Sequence, residues 1–192
     1  MAHWTFDREG ESSTVDEVSG GQRLRLERAQ FGEGQTGRAL EFGGDGRATI
    51  EPPVELDFLE SDLSVAVWIK TDADGTILAQ TAAAGPWVPD AKALFLRNGR
   101  LTFDVGWVGA IESSVAIPLN RWVHVALTRA GADGRSTLYL DGIQVGAGVL
   151  KPRQVARDHI TRLGFGADDF PATPHFRGAM DDLRLYRRSL TA

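Results

Sequence analysis

The sequence predicts an all-β fold of two packed antiparallel sheets, on three observations. Apolar and polar residues alternate with period two in many short segments, and no segment keeps a helical period beyond about two turns. Asn-Gly and Asp-Gly pairs, the strongest short hairpin signals, stand between such segments. About a dozen strand candidates recur at a spacing of roughly 8–12 residues, which suits a sandwich rather than alternating strands and helices.

In chain order the strand candidates begin with His3–Phe6, Arg23–Glu27, Ala39–Phe42 and Ala48–Glu51. Leu63–Lys70 is the clearest: Leu63, Val65, Val67 and Ile69 point one way, and Ser64, Ala66, Trp68 and Lys70 the other. Thr76–Gln80 follows, then Ala93–Arg97 and Leu101–Val105, joined by Asn98-Gly99. Val115–Pro118 precedes Trp122–Arg129, which sets Val123, Val125 and Leu127 on one face. Ser136–Leu140 lies between the turns Asp133-Gly134 and Asp141-Gly142, and Ile160–Phe165 and Met180–Tyr186 close the series. Residues 81–92 and 166–177 carry prolines and read as loops, where binding residues usually sit on a rigid sandwich. With no internal repeat and no boundary signal, residues 1–192 are expected to form one domain.

Composition narrows the function. The 192 residues include no cysteine, and a chain this long buries roughly 70% of its unfolded surface without disulfides. The formal charge is −5, from 21 basic and 26 acidic residues with no basic block, which argues against a nucleic-acid partner. Apolar runs fall short of a bilayer span, so membrane insertion is not expected. The start Met1-Ala2-His3-Trp4 has neither a basic nor an apolar leader region, so no signal peptide is expected; it reads like a domain of a larger multidomain protein.

Seven segments, in order, resemble the laminin G-like, concanavalin A-like jelly-roll modules of secreted and surface bacterial proteins. They are His3–Asp7, Asp16–Gly20 (similar to a D-x-S-G turn), Gly37–Gly44 (G-x-A-L-x-F-D-G) and Leu63–Lys70 (F-T-V-x-A-W-V-K). The others are Arg121–Ala126 (W-H-H-V-A), Leu138–Gly142 (L-Y-V-D-G) and Phe176–Tyr186 (F-x-G-x-I-D-D-V-R-I-Y). The resemblance implies an antiparallel two-sheet jelly-roll sandwich. It does not imply a ligand, because this architecture hosts lectins, pentraxins, adhesion modules and glycosidases. Within it, Trp68 and Trp122 are expected to pack the inter-sheet core, and His124 is expected to be a structural, semi-exposed histidine.

The resemblance also implies a structural Ca²⁺ shared by the early turn and the last strand, with Asp16 and Asp181 as carboxylate ligands and backbone carbonyls near Gly43. Calcium accepts such mixed oxygen shells. The alternative is that Asp16 caps a turn and Asp181 bonds local backbone.

The segment Glu55-Leu56-Asp57-Phe58-Leu59-Glu60 resembles the E-x-D-x-x-E motif of laminarinase-type glycoside hydrolases, whose paired carboxylates serve as nucleophile and acid/base. Its place after Pro52-Pro53, where binding modules have a connecting turn, argues against catalysis. For a ligand, the aromatics outside the strands are the candidates: Trp87, Trp107 and, more weakly, Phe170, with Arg97, Asp90 and Asp104 as polar partners. Alternatively the two indoles cover the sandwich edge.

The expectation is a non-catalytic binding or adhesion module, extracellular or on a cell surface, with a glycan or a surface protein as partner. A protein-interaction or self-associating module without small ligand is the first rival, and a glycosidase using Glu55, Asp57 and Glu60 the second.

Overall fold

A computed structural model of the chain describes residues 1–8, 13–52, 61–83, 86–153 and 158–191. Among these residues the secondary structure is antiparallel strand without helix. The strands are β1 (Ala2–Trp4), β2 (Ser13–Val15), β3 (Arg23–Glu33), β4 (Arg38–Glu51), β5 (Leu63–Lys70), β6 (Gly75–Ala82) and β7 (Lys92–Arg97). They continue with β8 (Arg100–Val105), β9 (Gly109–Ala116), β10 (Val123–Arg129), β11 (Arg135–Leu140), β12 (Ile143–Val149), β13 (His159–Leu163) and β14 (Arg177–Tyr186).

Hydrogen-bonded neighbours run β12-β11-β10-β5-β14-β4-β13-β6-β7-β8-β9, with β3 on β4 and β2 on β3. Strand β4 makes this one sheet into two layers. It pairs with β14 through Leu40–Gly43 and then with β13 through Ala48 and Thr49, so its neighbour changes along its length. Gly43-Gly44-Asp45-Gly46 lies at the changeover. Gly44 has φ +99°, and a Cβ on Gly46 would run into the Arg28 carbonyl, so these positions need glycine. Opposite them β3 bulges between Glu27 and Ala29, with Arg28 at φ 52°. The sequence suggests two strands at 39–51; the structure has one, bent at its glycines.

The layers enclose the main core. Val65, Val67 and Ile69 of β5, Val123, Val125 and Leu127 of β10, and Leu138 of β11 face Leu78 of β6, Leu94 and Leu96 of β7, and Leu101 and Phe103 of β8. Each such side chain contributes roughly 1.5–3 kcal/mol by leaving water. The free ends of the layers also meet, β12 against β9. A Cβ on Gly146 would lie 2.9 Å from the Glu112 carbonyl oxygen, and one on Gly148 2.9 Å from Ile111 Cγ1, so only glycine allows this approach. Those glycines are what hide β12 from a reading of apolar alternation.

The turn chemistry is as expected. Asn98-Gly99 and Asp141-Gly142 both take positive φ at both residues (53° and 71°, 48° and 80°), the two-residue hairpin geometry that fits strand twist. Asp74 fixes the first turn by accepting from Asn98 N at 2.6 Å and Gly99 N at 2.8 Å.

A smaller apolar cluster lies on the outer face of the second layer. It comprises Ala79 of β6, Ala93 and Phe95 of β7, and Trp87, Ala91, Ala167 and Phe170 from the two proline-bearing loops.

Candidate functional site

Alternation decides which side chains leave the core. Val65, Val67 and Ile69 take the inner face of β5, so Trp68 and Lys70 stand on the outer face; Val123 and Val125 likewise turn Trp122 and His124 outward. Trp68 and Trp122 are therefore half-buried surface residues and do not pack between the sheets, which corrects the core placement expected from their mid-strand positions. Trp68 pairs across the strands with His124, itself half-buried, their rings 5.2 Å apart and edge-on. Burial is the main influence on His124 and lowers its pKa, so the ring is neutral near pH 7.

Beside these residues a groove of about 470 Å³ opens over the ends of β4, β5 and β14. Trp122 borders it with Glu33, Glu41, Lys70, Asp72 and Arg177. Local chemistry shapes each wall. Asn120, in the left-handed region that asparagine tolerates (φ 57°), donates its N–H to the Thr71 carbonyl at 2.8 Å and so brings the loop before Trp122 down onto β5. Thr71 Oγ1 donates to the Arg177 carbonyl at 2.5 Å, tying β5 to β14. Gly178 at φ +138° leaves the floor bare, because a Cβ there would collide with the Lys70 carbonyl. Gly32 lets the Glu41 side chain lie across β3. At the mouth, Arg177 grips Asp72 with Nε and Nη2, at 2.7–3.2 Å to both carboxylate oxygens. The guanidinium holds the Asp72 carboxyl below its usual range. An indole flanked by carboxylates, an ammonium and an amide offers stacking and hydrogen bonds together, the combination a hydroxyl-rich ligand uses.

The residues singled out from the sequence fall elsewhere. Trp87 is 7% exposed, edge-on to Phe170 at 4.8 Å, and Phe170 meets Phe95 at 4.9 Å. Trp87 and Phe170 thus seal the outer face of the second layer and present no ring to solvent, because a flat apolar patch on β6 and β7 needs cover. Asp90 is buried and locks its loop: its Oδ1 accepts from Arg153 N at 2.8 Å. It is not a surface contact. Arg97 and Asp104 do reach the outer face of the second layer. Arg97 stands 3.6 Å from Glu112, and burial raises the Asp104 carboxyl against the opposing charge of Arg97. Trp107 is 62% exposed in the β8–β9 turn at φ 59°, an unusual conformation for a bulky residue.

For calcium, the set Asp16, Gly43 and Asp181 does not fit as folded. The Asp16 carboxylate accepts from His3 N (2.9 Å), Val18 N (3.0 Å), Ser19 N (3.0 Å) and Ser19 Oγ, so its lone pairs face N–H and O–H donors. It is the turn anchor of the alternative reading. Asp181 accepts from Thr36 N at 3.1 Å under a different loop. Gly43 pairs with Arg177, four rungs from Asp181 and so about 13 Å along the strand. Among the described residues no three His, Cys, Asp or Glu side chains converge on one point. Glu55, Asp57 and Glu60 lie outside the described residues.

A core placement of Trp122 hides the groove from a reading of the sequence. Its signal was present: Trp122 and Lys70 stand opposite in phase to their strands' apolar residues. Arg177 and Asp72, 105 positions apart, gave none.

Residues 42–192 match the Laminin_G_3 family, described as the Concanavalin A-like lectin/glucanases superfamily. No curated protein sequence matches the chain. Among solved structures, domain 4 of AbnA, a GH43 extracellular arabinanase from Geobacillus stearothermophilus, in complex with arabinotriose, is similar with TM-score 0.76 and 20% identity. That match covers 99% of this chain and 93% of the domain. Trypanosoma rangeli sialidase is similar with TM-score 0.72 and 19% identity over 100% of this chain but only 31% of the sialidase. Domains LG4-5 of the mouse laminin alpha1 chain are similar with TM-score 0.59 and 22% identity, over 84% and 44%. At these identities the structural likenesses establish the fold alone, and the family match completes the assignment: the chain belongs to the Laminin_G_3 family of concanavalin A-like β-sandwich domains.

Proposed function

We propose that this domain is a non-catalytic carbohydrate-binding module of an extracellular protein, and that the groove beside Trp122 is its binding site. The observation that carries this reading is the half-buried, outward-facing Trp122 indole on a groove of about 470 Å³ edged by Glu41, Lys70 and Asn120. That volume falls within the range of small-ligand sites. The domain similar over nearly its whole length is one described with arabinotriose, which supports the choice of ligand class. The extracellular assignment is supported by the same neighbour.

The test is a tryptophan-fluorescence titration with a panel of neutral trisaccharides, repeated on Trp122→Ala. Saturable binding that weakens roughly tenfold or more in the variant, about 1.4 kcal/mol, is expected. Absence of binding across the panel, or binding indifferent to Trp122→Ala, would overturn the reading.

A second reading, a protein-interaction module, is favoured by Trp107, exposed and held at positive φ where no core packing accounts for it. Analytical ultracentrifugation of the wild type and Trp107→Asn checks it. Concentration-dependent association lost in the variant would support it, and a monomer at all concentrations would remove self-association.

A further inference from the structure

The charges around the groove say which carbohydrates it takes. Five ionisable side chains line it: Glu33, Glu41, Lys70, Asp72 and Arg177. Arg177 and Asp72 neutralise one another, since Nη2 of Arg177 lies 2.9 and 2.7 Å from the two oxygens of the Asp72 carboxylate. A planar guanidinium engaged in this way turns its Nε–Nη2 edge to Asp72, and with its charge balanced there it attracts a ligand's carboxylate or sulfate less than a free arginine would. Lys70 then stands alone against Glu33 and Glu41, both of which line the same space. The balance of the lining is one negative charge, and the whole chain carries −5, so no wider field draws anions in.

The oxygens of Glu33 and Glu41 and the Asn120 amide suit the hydroxyls of a sugar, which donate as well as accept. A ligand carboxylate or sulfate has no hydrogen to offer them. It would sit within a Debye length, about 8 Å, of two like charges and beside an arginine already paired.

Resting on the binding site proposed above, we infer that the groove selects neutral oligosaccharides and excludes uronic, sialic and sulfated ones. Selection here works by repulsion: the attractive contacts serve any hydroxyl-rich ring, and Glu33 and Glu41 reject its acidic counterpart.

The experiment compares arabinotriose, xylotriose and cellotriose with trigalacturonate and sialyllactose on the wild-type domain by isothermal titration calorimetry, in roughly 20 and 300 mM salt. At least one neutral sugar is expected to bind with an affinity that salt leaves unchanged. The acidic sugars are expected to bind roughly tenfold more weakly or worse, and to gain rather than lose affinity as salt screens the repulsion. Acidic sugars that bind as tightly as the neutral ones, or that bind more weakly as salt rises, would overturn the selectivity while leaving the binding site standing. If neither class binds, the site itself fails and the selectivity with it. A Lys70→Gln variant adds an independent arm. Loss of that cation is expected to weaken the acidic sugars further, by several-fold, relative to the neutral ones. An equal effect on both classes would count against charge as the discriminator.

Discussion

Trp68 and His124 face one another across β5 and β10 on the solvent side of the sandwich, ring centroids 5.2 Å apart and planes inclined by 63°. The pair makes the outer face of the first layer partly apolar and partly titratable. Burial is the largest influence on His124 and lowers its pKa, outweighing the attraction of Asp141 and Asp182. His159 and His175 are lowered for the same leading reason.

A pH dependence follows with a definite sign. A histidine whose folded pKa is depressed binds fewer protons folded than unfolded, so stability rises with pH in that window. It is complete above the unfolded value of about 6.5 and is lost as pH falls below it toward the folded values. Urea unfolding at about pH 5, 6 and 7 is expected to show lower stability at each step down, with a shallower slope for His124→Gln. A slope unchanged in the variant would assign the effect to His159, His175 or the carboxylates.

Trp107 is expected to be a stability liability. Its φ of 59° costs a non-glycine residue about 1 kcal/mol, and with 62% of its surface exposed it gives little packing in return. Trp107→Asn, which tolerates this region, is expected to raise the melting temperature by about 2 °C. It should leave sugar binding at Trp122 untouched, since Trp107 is not part of the groove lining. A fall in melting temperature would mean that the indole packs usefully.

Asp16 anchors the turn at 16–20 through four hydrogen bonds. Burial opposes its ionisation, but the Ser19 hydroxyl and the His3, Val18 and Ser19 amides together hold its carboxyl below the usual range. Asp16→Ala strands those donors and is expected to cost about 2 kcal/mol, roughly 4–8 °C of melting temperature. With its carboxylate so occupied, the wild-type melting temperature is expected to be equal in calcium and in chelator. A calcium-dependent rise abolished by Asp181→Ala would instead restore the shared ion that the family resemblance implies.

Asp104 makes the opposite case among the carboxylates. Burial on the outer face of the second layer raises its pKa, so its ionisation opposes folding above that value. Asp104→Asn is expected to stabilise the protein at neutral pH. The gain should vanish once pH falls below the unfolded value of about 3.9, where the wild-type carboxyl is neutral in both states. A gain of equal size at both ends of the range would point to packing rather than charge.

The sequence by itself determined most of the strands and their turns, but not β2 or β12, and of β9 only its end. Period-two alternation carries both the element and its facing, so Leu63–Lys70 emerges at its full observed extent, and the positive φ needed at Asn98-Gly99 and Asp141-Gly142 is written in the residue types. The same alternation places Trp68 and Trp122 on the polar side, although the size of an indole favours the core. The Asp16 turn was legible as one of two alternatives, because an Asx turn is local chemistry. Only the tertiary structure decided the rest. That Trp87 would be buried and Trp107 exposed depends on whether an apolar patch of β6 and β7 lies beneath each loop, and both loops look alike in sequence. That β4 is one bent strand serving both layers depends on which neighbours pair with each half of it. The groove exists because β4, β5 and β14 lie side by side and carry Glu41, Lys70 and Arg177 together from positions up to 136 residues apart. Long-range pairing leaves no periodicity in the chain, since the contacts that define it are between segments rather than within them.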